Sequence, residues 1–114
     1  MKFLADNGYK KYDEKFDSFG TTYSYQKRID TLKEYKHYPL CQCNDKLFMN
    51  ITHSSYPISG QAYEGFEIFL VHENKAGDWC DLKIYSVNEE KILANLKKYE
   101  KQLLDMWQLF YKGE

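Results

Sequence analysis

The stretch FEIFLVHENKAGDWCDLKIYS (Phe66–Ser86) decides the fold, because it has the pattern of a β-hairpin. Apolar side chains alternate with other residues on both sides of a central turn, which is the period of a half-buried strand. The loop 75–77 ends in Gly, which suits a type I turn followed by a left-handed residue. The resulting register predicts three cross-strand pairs: Ile68 with Ile84, Leu70 with Leu82, and His72 with Cys80.

A long amphipathic helix is predicted after this hairpin, beginning near Val87. Ser86 and Glu89 stand at the spacing of a capping box, in which two side chains satisfy the free N–H groups of the first turn. The helix would run to about Tyr111 and be roughly 35 Å long. Its apolar residues recur at spacings of four and three and form one stripe: Ile92, Leu96, Tyr99, Leu103, Met106 and Phe110.

The N-terminal third predicts a short helix followed by two strands. Residues 2–7 suit one helical turn, with Gly8 placed to end it in the left-handed conformation. Residues 9–16 have a weak strand pattern, and residues 22–29 alternate with a clear period of two. The segment 30–36 fits either a helical turn or a loop.

Residues 37–53 predict another hairpin, turning at either Asn44–Asp45 or Asp45–Lys46. Either turn leaves the same residues on the same faces of the sheet. The more apolar face should be the core face: Tyr38, Leu40, Met49, Ile51 and His53. The outward face would then hold Cys41, Cys43, Phe48, Asn50 and Thr52. The following segment, 54–65, is rich in Ser, Gly and Pro and predicts a long connecting loop.

These elements predict an α+β fold in a single domain, residues 1–114. Sequential strands joined by hairpins favour an antiparallel β-meander of four to six strands. The long C-terminal helix would pack on one face of that sheet.

Charge and targeting signals exclude several classes of protein. The net charge of −1 gives no global attraction to nucleic acid or to an anionic membrane. Residues 37–90 hold three basic against eight acidic residues, a local charge of about −5 that would favour a basic partner. No segment approaches ~18 consecutive apolar residues, so no membrane contact is predicted. The absence of a signal peptide and the three cysteines predict reduced thiols and a cytoplasmic location.

The cysteines do not have the spacing of a metal site, and no cofactor is predicted. Structural zinc sites commonly use pairs of Cys separated by two to four residues, whereas Cys41 and Cys43 are separated by one. The chain has no glycine-rich phosphate loop and no metalloprotease or hydrolase motif. The chain is therefore predicted not to be an enzyme. The alternative is a small cysteine-dependent enzyme, in which His72 would activate Cys80 as a nucleophile.

Several aromatic and apolar residues are candidates for binding another protein or a protein–nucleic-acid complex. One flank of the predicted helix carries large side chains, which would either fill a deep core or bind a partner, including a second copy of the chain. A carboxylate on that flank, Glu100, is either a rim residue or one that needs a cationic partner. The predicted contact residues lie in three regions: Leu93, Glu100, Leu104, Trp107 and Tyr111 on the helix; Tyr56 and Tyr63 in the loop; and Phe48 on the outward face.

The segment YSYQKR provides an alternative function, because it interleaves aromatic and basic residues. A sheet-based binder of single-stranded nucleic acid stacks bases on aromatic rings and contacts phosphates with cations. The residues concerned are Tyr23, Tyr25, Lys27 and Arg28.

The run FLADNGYKKYDEKF…YSYQKRI resembles small accessory proteins of phages and mobile genetic elements. The resemblance covers about the first 30 residues. It lies in their general pattern, and no family motif is present. It implies an accessory role, such as inhibition of a host defence or replication machine. Combined with the absence of catalytic motifs, this predicts a non-catalytic interaction module that occupies a surface of a larger machine.

Overall fold

The structure is a computed structural model that describes residues 2–18, 20–42, 45–58, 61–74, 77 and 79–112. It describes only the backbone of residues 17, 40, 56–58, 61–63, 79–81, 83–87 and 110–112. The α-helices are α1 (Lys2–Asp6) and α2 (Glu89–Lys112). The strands are β1 (Lys10–Asp17), β2 (Gly20–Arg28), β3 (Lys46–Ile58), β4 (Gln61–Glu73) and β5 (Trp79–Val87).

The five strands form one antiparallel sheet in the order β1-β2-β3-β4-β5. Each strand therefore pairs with its neighbour in the sequence, and α2 packs against β4 and β5. This arrangement confirms the predicted α+β meander with a C-terminal helix on one face. Gly8 ends α1 with a φ of +89°, as the sequence predicts, because a left-handed residue there is best supplied by Gly.

The hairpin of β4 and β5 confirms two of its three predicted pairs. Leu70 lies opposite Leu82 and His72 lies opposite Cys80, and Gly77 has the expected positive φ of +84°. Ile68, however, lies opposite Tyr85, because the register shifts at a β-bulge between Ile68 and Phe69. A bulge adds one residue to one strand, and strict alternation cannot reveal it.

The predicted hairpin over residues 37–53 is wrong in its first half. Two 3₁₀ turns, Lys33–Tyr35 and Pro39–Gln42, replace the expected strand, and β3 pairs with β2 instead. Successive backbone bonds join residues three apart: Tyr38 N–H donates to the Tyr35 carbonyl and Cys41 N–H donates to the Tyr38 carbonyl. All three side chains are buried, so their spacing of three fits the three-residue turn of a 3₁₀ helix.

The predicted loop 54–65 is also wrong, because both of its halves are strand. β3 and β4 continue to Ile58 and Gln61, and Tyr56 lies opposite Tyr63 in their register. β2 reaches only as far as Ser55 of β3, and β5 ends opposite Phe66. The end of this hairpin therefore extends beyond both neighbouring strands.

One hydrophobic cluster lies between the sheet and the helical segments. It contains Leu4 of α1 and Tyr35, Tyr38 and Cys41 of the 3₁₀ segment. The remaining members come from one face of the sheet and one side of α2, and include Met49, Ile51, Phe66, Ile68, Leu70, Ile92, Leu96, Leu103 and Leu104. This cluster identifies the core face of the sheet and confirms the predicted inward orientation of Met49 and Ile51.

Candidate functional site

The predicted contact flank of α2 does not form one accessible surface. Glu100 and Leu104 are fully buried, and a buried side chain contacts no partner in this conformation. Trp107 is half-buried, and its indole N–H donates to Nδ1 of His72 over 3.1 Å. Leu93 is exposed, whereas the side chain of Tyr111 lies outside the described residues. Leu104 and Glu100 therefore belong to the core. Of the two roles that the sequence allows for this flank, these two residues fill the core rather than bind a partner.

Glu100 has its cationic partner inside the chain. Its Oε2 accepts from Lys27 Nζ and from the Tyr9 hydroxyl, each over 2.5 Å, and its Oε1 accepts from the Tyr35 hydroxyl over 2.6 Å. Lys27 Nζ also lies 4.7 Å from the centroid of the Tyr9 ring, a cation–π contact. These four residues form what we call the buried cluster, which joins α2 to the N-terminal segment, β2 and the first 3₁₀ turn.

Burial and the carboxylate set the ionisation of this cluster. Burial, followed by the charge of Glu100, raises the pKa of Tyr9 well above its usual value, and the pKa of Tyr35 is raised by burial and by its hydrogen bond to the same carboxylate. Burial lowers the pKa of Lys27, an effect that Glu100 opposes. Since the Lys27 ammonium is already engaged, the cluster is arranged to hold segments together rather than to receive a ligand.

The four residues of the predicted nucleic-acid strand do not share one surface. Tyr23, Tyr25 and Lys27 lie on the core side of β2, whereas Arg28 lies on the outward side. Tyr25 and Lys27 are buried, and Lys27 belongs to the buried cluster. The alternation of the sequence places Lys27 with the two tyrosines, and that signal indicates a lysine on the core face, which itself needs an anionic partner.

His72 is held by hydrogen bonds at both ring nitrogens. Nε2 lies 2.8 Å from Oδ2 of Asp45, and Nδ1 accepts from Trp107. Because an indole N–H can only donate, Nδ1 carries no proton, and the neutral ring donates from Nε2 to Asp45. Cys80 lies opposite His72 in the register, but its side chain lies outside the described residues. His72 could act as a base for Cys80 only if one of these two hydrogen bonds broke.

The outward face of the sheet carries an apolar stripe. Phe48 lies opposite Val71 and Asn50 lies opposite Phe69 in the register of β3 and β4. We call Phe48, Phe69 and Val71 the outward stripe. None of them belongs to the core cluster, and the buried hydrophobic residues of α2 all belong to it, so the described apolar side of α2 packs on the opposite face. Val71 is nevertheless buried and Phe48 and Phe69 are half-buried, so the two phenylalanines provide the accessible part of the stripe.

Polar groups surround this stripe. Asn50 is buried between its residues, and its Oδ1 has no hydrogen-bond partner among the described residues. Arg28, which lies opposite Phe48, donates two hydrogen bonds to Asp30, of 2.9 and 3.0 Å. Burial acts to raise the pKa of Asp30, but hydrogen bonds from Arg28 and from the Leu47 N–H hold it below its usual value. The guanidinium is therefore fixed beside one end of the stripe.

Cys41 lies in the core, which contradicts its predicted position on the outward face. The 3₁₀ turn rotates it inward, as described above. The side chains of Cys43, Tyr56 and Tyr63 lie outside the described residues. Among those described, no group of three His, Cys, Asp or Glu side chains is close enough to hold a metal ion, and no helix is long and apolar enough to span a membrane.

Comparisons with protein-family models, with curated proteins and with solved structures find no match to this chain. The resemblance of the N-terminal segment to phage accessory proteins therefore stays a prediction.

Proposed function

We propose that the protein is a non-catalytic interaction module that binds another protein through the outward stripe. The observation that carries this proposal is the row of Phe48, Phe69 and Val71 on a sheet face that no described helix covers. Aromatic side chains are enriched at the centres of protein interfaces, where a partner excludes water from them. Two half-buried phenylalanines on one flat face suit that role.

The polar surroundings of the stripe support a partner with complementary charge. Arg28 lies at one end, and Glu67 and Glu73 of β4 lie on the same outward side. Charges at the rim of an interface mainly set the rate and specificity of association. The acidic residues of β4 and the net acidic middle of the sequence favour a partner whose matching surface is basic.

The resemblance to phage accessory proteins supports a particular kind of partner. Accessory proteins of this kind act by occupying a surface of a larger host machine. The protein would then inhibit or modulate that machine by obstruction, without a chemical step of its own.

A comparison of two matched variants tests the proposal. Tagged protein is used to recover partners from a lysate of the native host, and the recovered proteins are quantified. Phe69→Ser removes an aromatic ring from the stripe and should abolish recovery of the stoichiometric partner. Leu109→Ser is the control, because it removes a large exposed side chain from α2, far from the stripe in the sequence and on another element.

Thermal unfolding of both variants establishes that they are folded. The proposal is wrong if the wild type recovers no stoichiometric partner, or if Leu109→Ser loses the partner while Phe69→Ser keeps it. A partner that proves to be a second copy of the chain, seen by light scattering as a dimer that Phe69→Ser dissociates, is also a protein partner and supports the proposal.

A further inference from the structure

Two open grooves lie on either side of a pair of lysines at the β1–β2 edge of the sheet. Each has a volume of about 620 Å³, and Lys10 and Lys11 line both. This volume is within the range of small-ligand sites in proteins. The two lysines therefore form a shared basic rim between two cavities.

The first groove, which we call the aromatic groove, has ring-bearing side chains as its walls. Tyr23, Tyr25 and His53 line it together with the two lysines. The Tyr23 and His53 rings stack with their centroids 6.0 Å apart, and His53 stacks on Phe66 at 4.3 Å. His53 and Phe66 are nearly parallel and Tyr23 is tilted by 28° from His53, so the row of stacked rings ends at Tyr23, where another planar ring could extend it.

The second groove, which we call the basic groove, carries an excess of cations in its lining. Five of its lining residues are basic, Lys10, Lys11, Lys27, Arg28 and Lys97, and one is acidic, Glu34. Lys27 is paired with Glu100 and Arg28 with Asp30, which leaves three exposed lysines, Lys10, Lys11 and Lys97, as the main cations of the groove. The exposed side chains of Lys97 and Glu34 lie 3.1 Å apart, and exposed pairs of this kind contribute little and exchange readily for another anion.

The rim brings a cation next to the aromatic rings. Lys11 Nζ lies 5.5 Å from the centroid of the Tyr23 ring, so a cation is already positioned over the end of the aromatic row. Its contact with Glu14 is long, at 3.7 Å, and both side chains are substantially exposed. A ligand with a flat ring and an adjacent anionic group would satisfy the ring of Tyr23 and the ammonium of Lys11 together.

We propose that single-stranded nucleic acid binds across this rim, with a base stacked in the aromatic groove and its phosphates along the basic groove. Single-strand binders combine stacking on aromatic side chains with a positively charged path for the backbone. An acidic peptide could pair with the lysines but has no regular supply of flat rings for the aromatic groove. A duplex keeps its bases stacked inside the helix and cannot insert one without unpairing it.

This site differs from the four-residue strand that the sequence predicts. Tyr23 and Tyr25 line one groove and Lys27 and Arg28 line the other, so the strand contributes to both. The main cations, however, come from β1 and α2. The site meets the outward stripe at Phe48 and Arg28, which line the basic groove, whereas Phe69 lines neither groove and so distinguishes the two functions.

Fluorescence anisotropy of a labelled single-stranded oligonucleotide of mixed sequence tests the proposal. We expect binding at about 50 mM salt that weakens strongly towards about 200 mM. Lys10→Gln/Lys11→Gln should lower the affinity and reduce the slope of log K against log salt by about 1.4, since each phosphate contact on a single strand contributes about 0.7. The matched control is Lys36→Gln/Lys101→Gln, which removes two exposed lysines that line neither groove.

Stacking is tested separately by Tyr23→Leu, with Tyr23→Phe as the variant that keeps the ring. Loss of one stacked base should weaken binding by about 5- to 150-fold in Tyr23→Leu, whereas Tyr23→Phe should bind as the wild type does. Because Tyr23 packs partly against the core, circular dichroism of both variants accompanies the measurement.

Several outcomes would overturn the proposal. These are no change in anisotropy at low salt, equal losses in the two lysine pairs, or equal affinity for a duplex of the same sequence. Displacement of the oligonucleotide by polyglutamate at the same charge concentration would instead identify an acidic protein partner. Phe69→Ser should leave oligonucleotide binding unchanged. The protein-binding proposal and the nucleic-acid proposal can therefore fail independently of each other.

Discussion

A single carboxylate, that of Glu100, is the polar centre of the core. Moving a charge pair out of water costs several kcal/mol per ion, and this cost is offset only when the geometry is good and the remaining oxygens are hydrogen-bonded. Here Lys27, Tyr9 and Tyr35 all donate to the two carboxylate oxygens. The buried cluster is therefore most vulnerable to changes that leave one charge without its partner.

We predict that Glu100→Gln destabilises the protein by about 3–5 kcal/mol, because it leaves the Lys27 ammonium buried and unpaired. Lys27→Met/Glu100→Gln should be considerably more stable than Glu100→Gln alone. In that double variant no charge is buried, and the amide oxygen can accept from one tyrosine hydroxyl while the amide N–H donates to the oxygen of the other. Urea unfolding of the wild type, both single variants and the double variant measures the coupling. Additive effects of the two substitutions would show that the ion pair does not act as a unit.

The position of Glu100 was interpretable from the sequence, but its partner was not. A carboxylate among Leu and Trp residues at helical spacing indicates a need for compensation. The sequence contains 16 Lys and Arg residues, and only the tertiary arrangement selects Lys27 among them. The alternation of β2 narrows the choice, because it places Lys27 on the same face as Tyr23 and Tyr25.

At the scale of elements, the start of α2 shows how local signals compete. The helix begins at Glu89, and the Asn88 side chain accepts from the Lys91 N–H over 2.9 Å. Asn88 is thus the N-cap, and the capping box predicted from Ser86 and Glu89 is wrong. Asn and Ser have similar preferences for this position, so the sequence alone did not choose between two candidates two residues apart.

We predict that Asn88→Ala lowers the free energy of unfolding by about 1 kcal/mol, because one N–H of the first turn loses its acceptor. The effect should appear as a lower midpoint of urea unfolding with an unchanged slope. Ser86→Ala serves as the matched control and tests the competing assignment. A larger loss in Ser86→Ala than in Asn88→Ala would contradict the cap that the structure shows.

The elements that were predicted correctly have an unambiguous period, and those predicted wrongly do not. β2, the paired core of β4 and β5, and α2 each repeat one spacing over many residues. Tyr35, Tyr38 and Cys41 lie every third residue, but Tyr38 and Leu40 also continue the alternation of a strand, and the alternation was favoured. The end of the β3–β4 hairpin was missed because its Ser, Pro and Gly residues are typical of loops.

At the scale of the whole molecule, buried tyrosines make the fold sensitive to alkali. Burial raises the pKa of Tyr9, Tyr25 and Tyr35, and burial and a hydrogen bond to Asp105 raise the pKa of Tyr38 to about 12. A tyrosine whose folded pKa is raised stabilises the fold fully below its unfolded pKa of about 10. That contribution is lost as the pH rises from there through the folded pKa.

We predict that stability falls steeply above about pH 10, because the unfolded chain releases tyrosine protons that the folded chain retains. Lys27 acts in the opposite direction, since its lowered pKa adds stability as the pH rises towards its unfolded value. Ultraviolet absorbance of tyrosinate, recorded as the pH is raised, measures the pH at which the tyrosines ionise. Of the 11 tyrosines, these four should ionise at a pH above the usual tyrosine range while the protein is folded, whereas all should ionise near pH 10 in urea. Ionisation of all 11 in one normal step while the protein is still folded would contradict the prediction.

The two proposed surfaces lie mainly on different parts of the same sheet and meet at Phe48 and Arg28. The outward stripe lies on β3 and β4, whereas the grooves lie at the β1–β2 edge. A module with both could bring a nucleic acid and a protein together, as a regulator of a protein–nucleic-acid machine would. The sequence pointed to single members of each surface, Phe48 and the strand YSYQKR. It could not assemble the whole surfaces, because the outward stripe combines two strands and the grooves combine β1, β2, β3 and α2.

The long separation of Lys27 and Glu100, 73 residues along the chain, also bears on how the protein is made. A ribosome releases β2 well before it has synthesised the middle of α2. Until then Lys27 has no counter-ion, and removing water from its ammonium would be costly. The face of the nascent sheet around Lys27 therefore has to stay hydrated. Exclusion of water from the core therefore waits until α2 has emerged from the ribosome and delivers the missing charge.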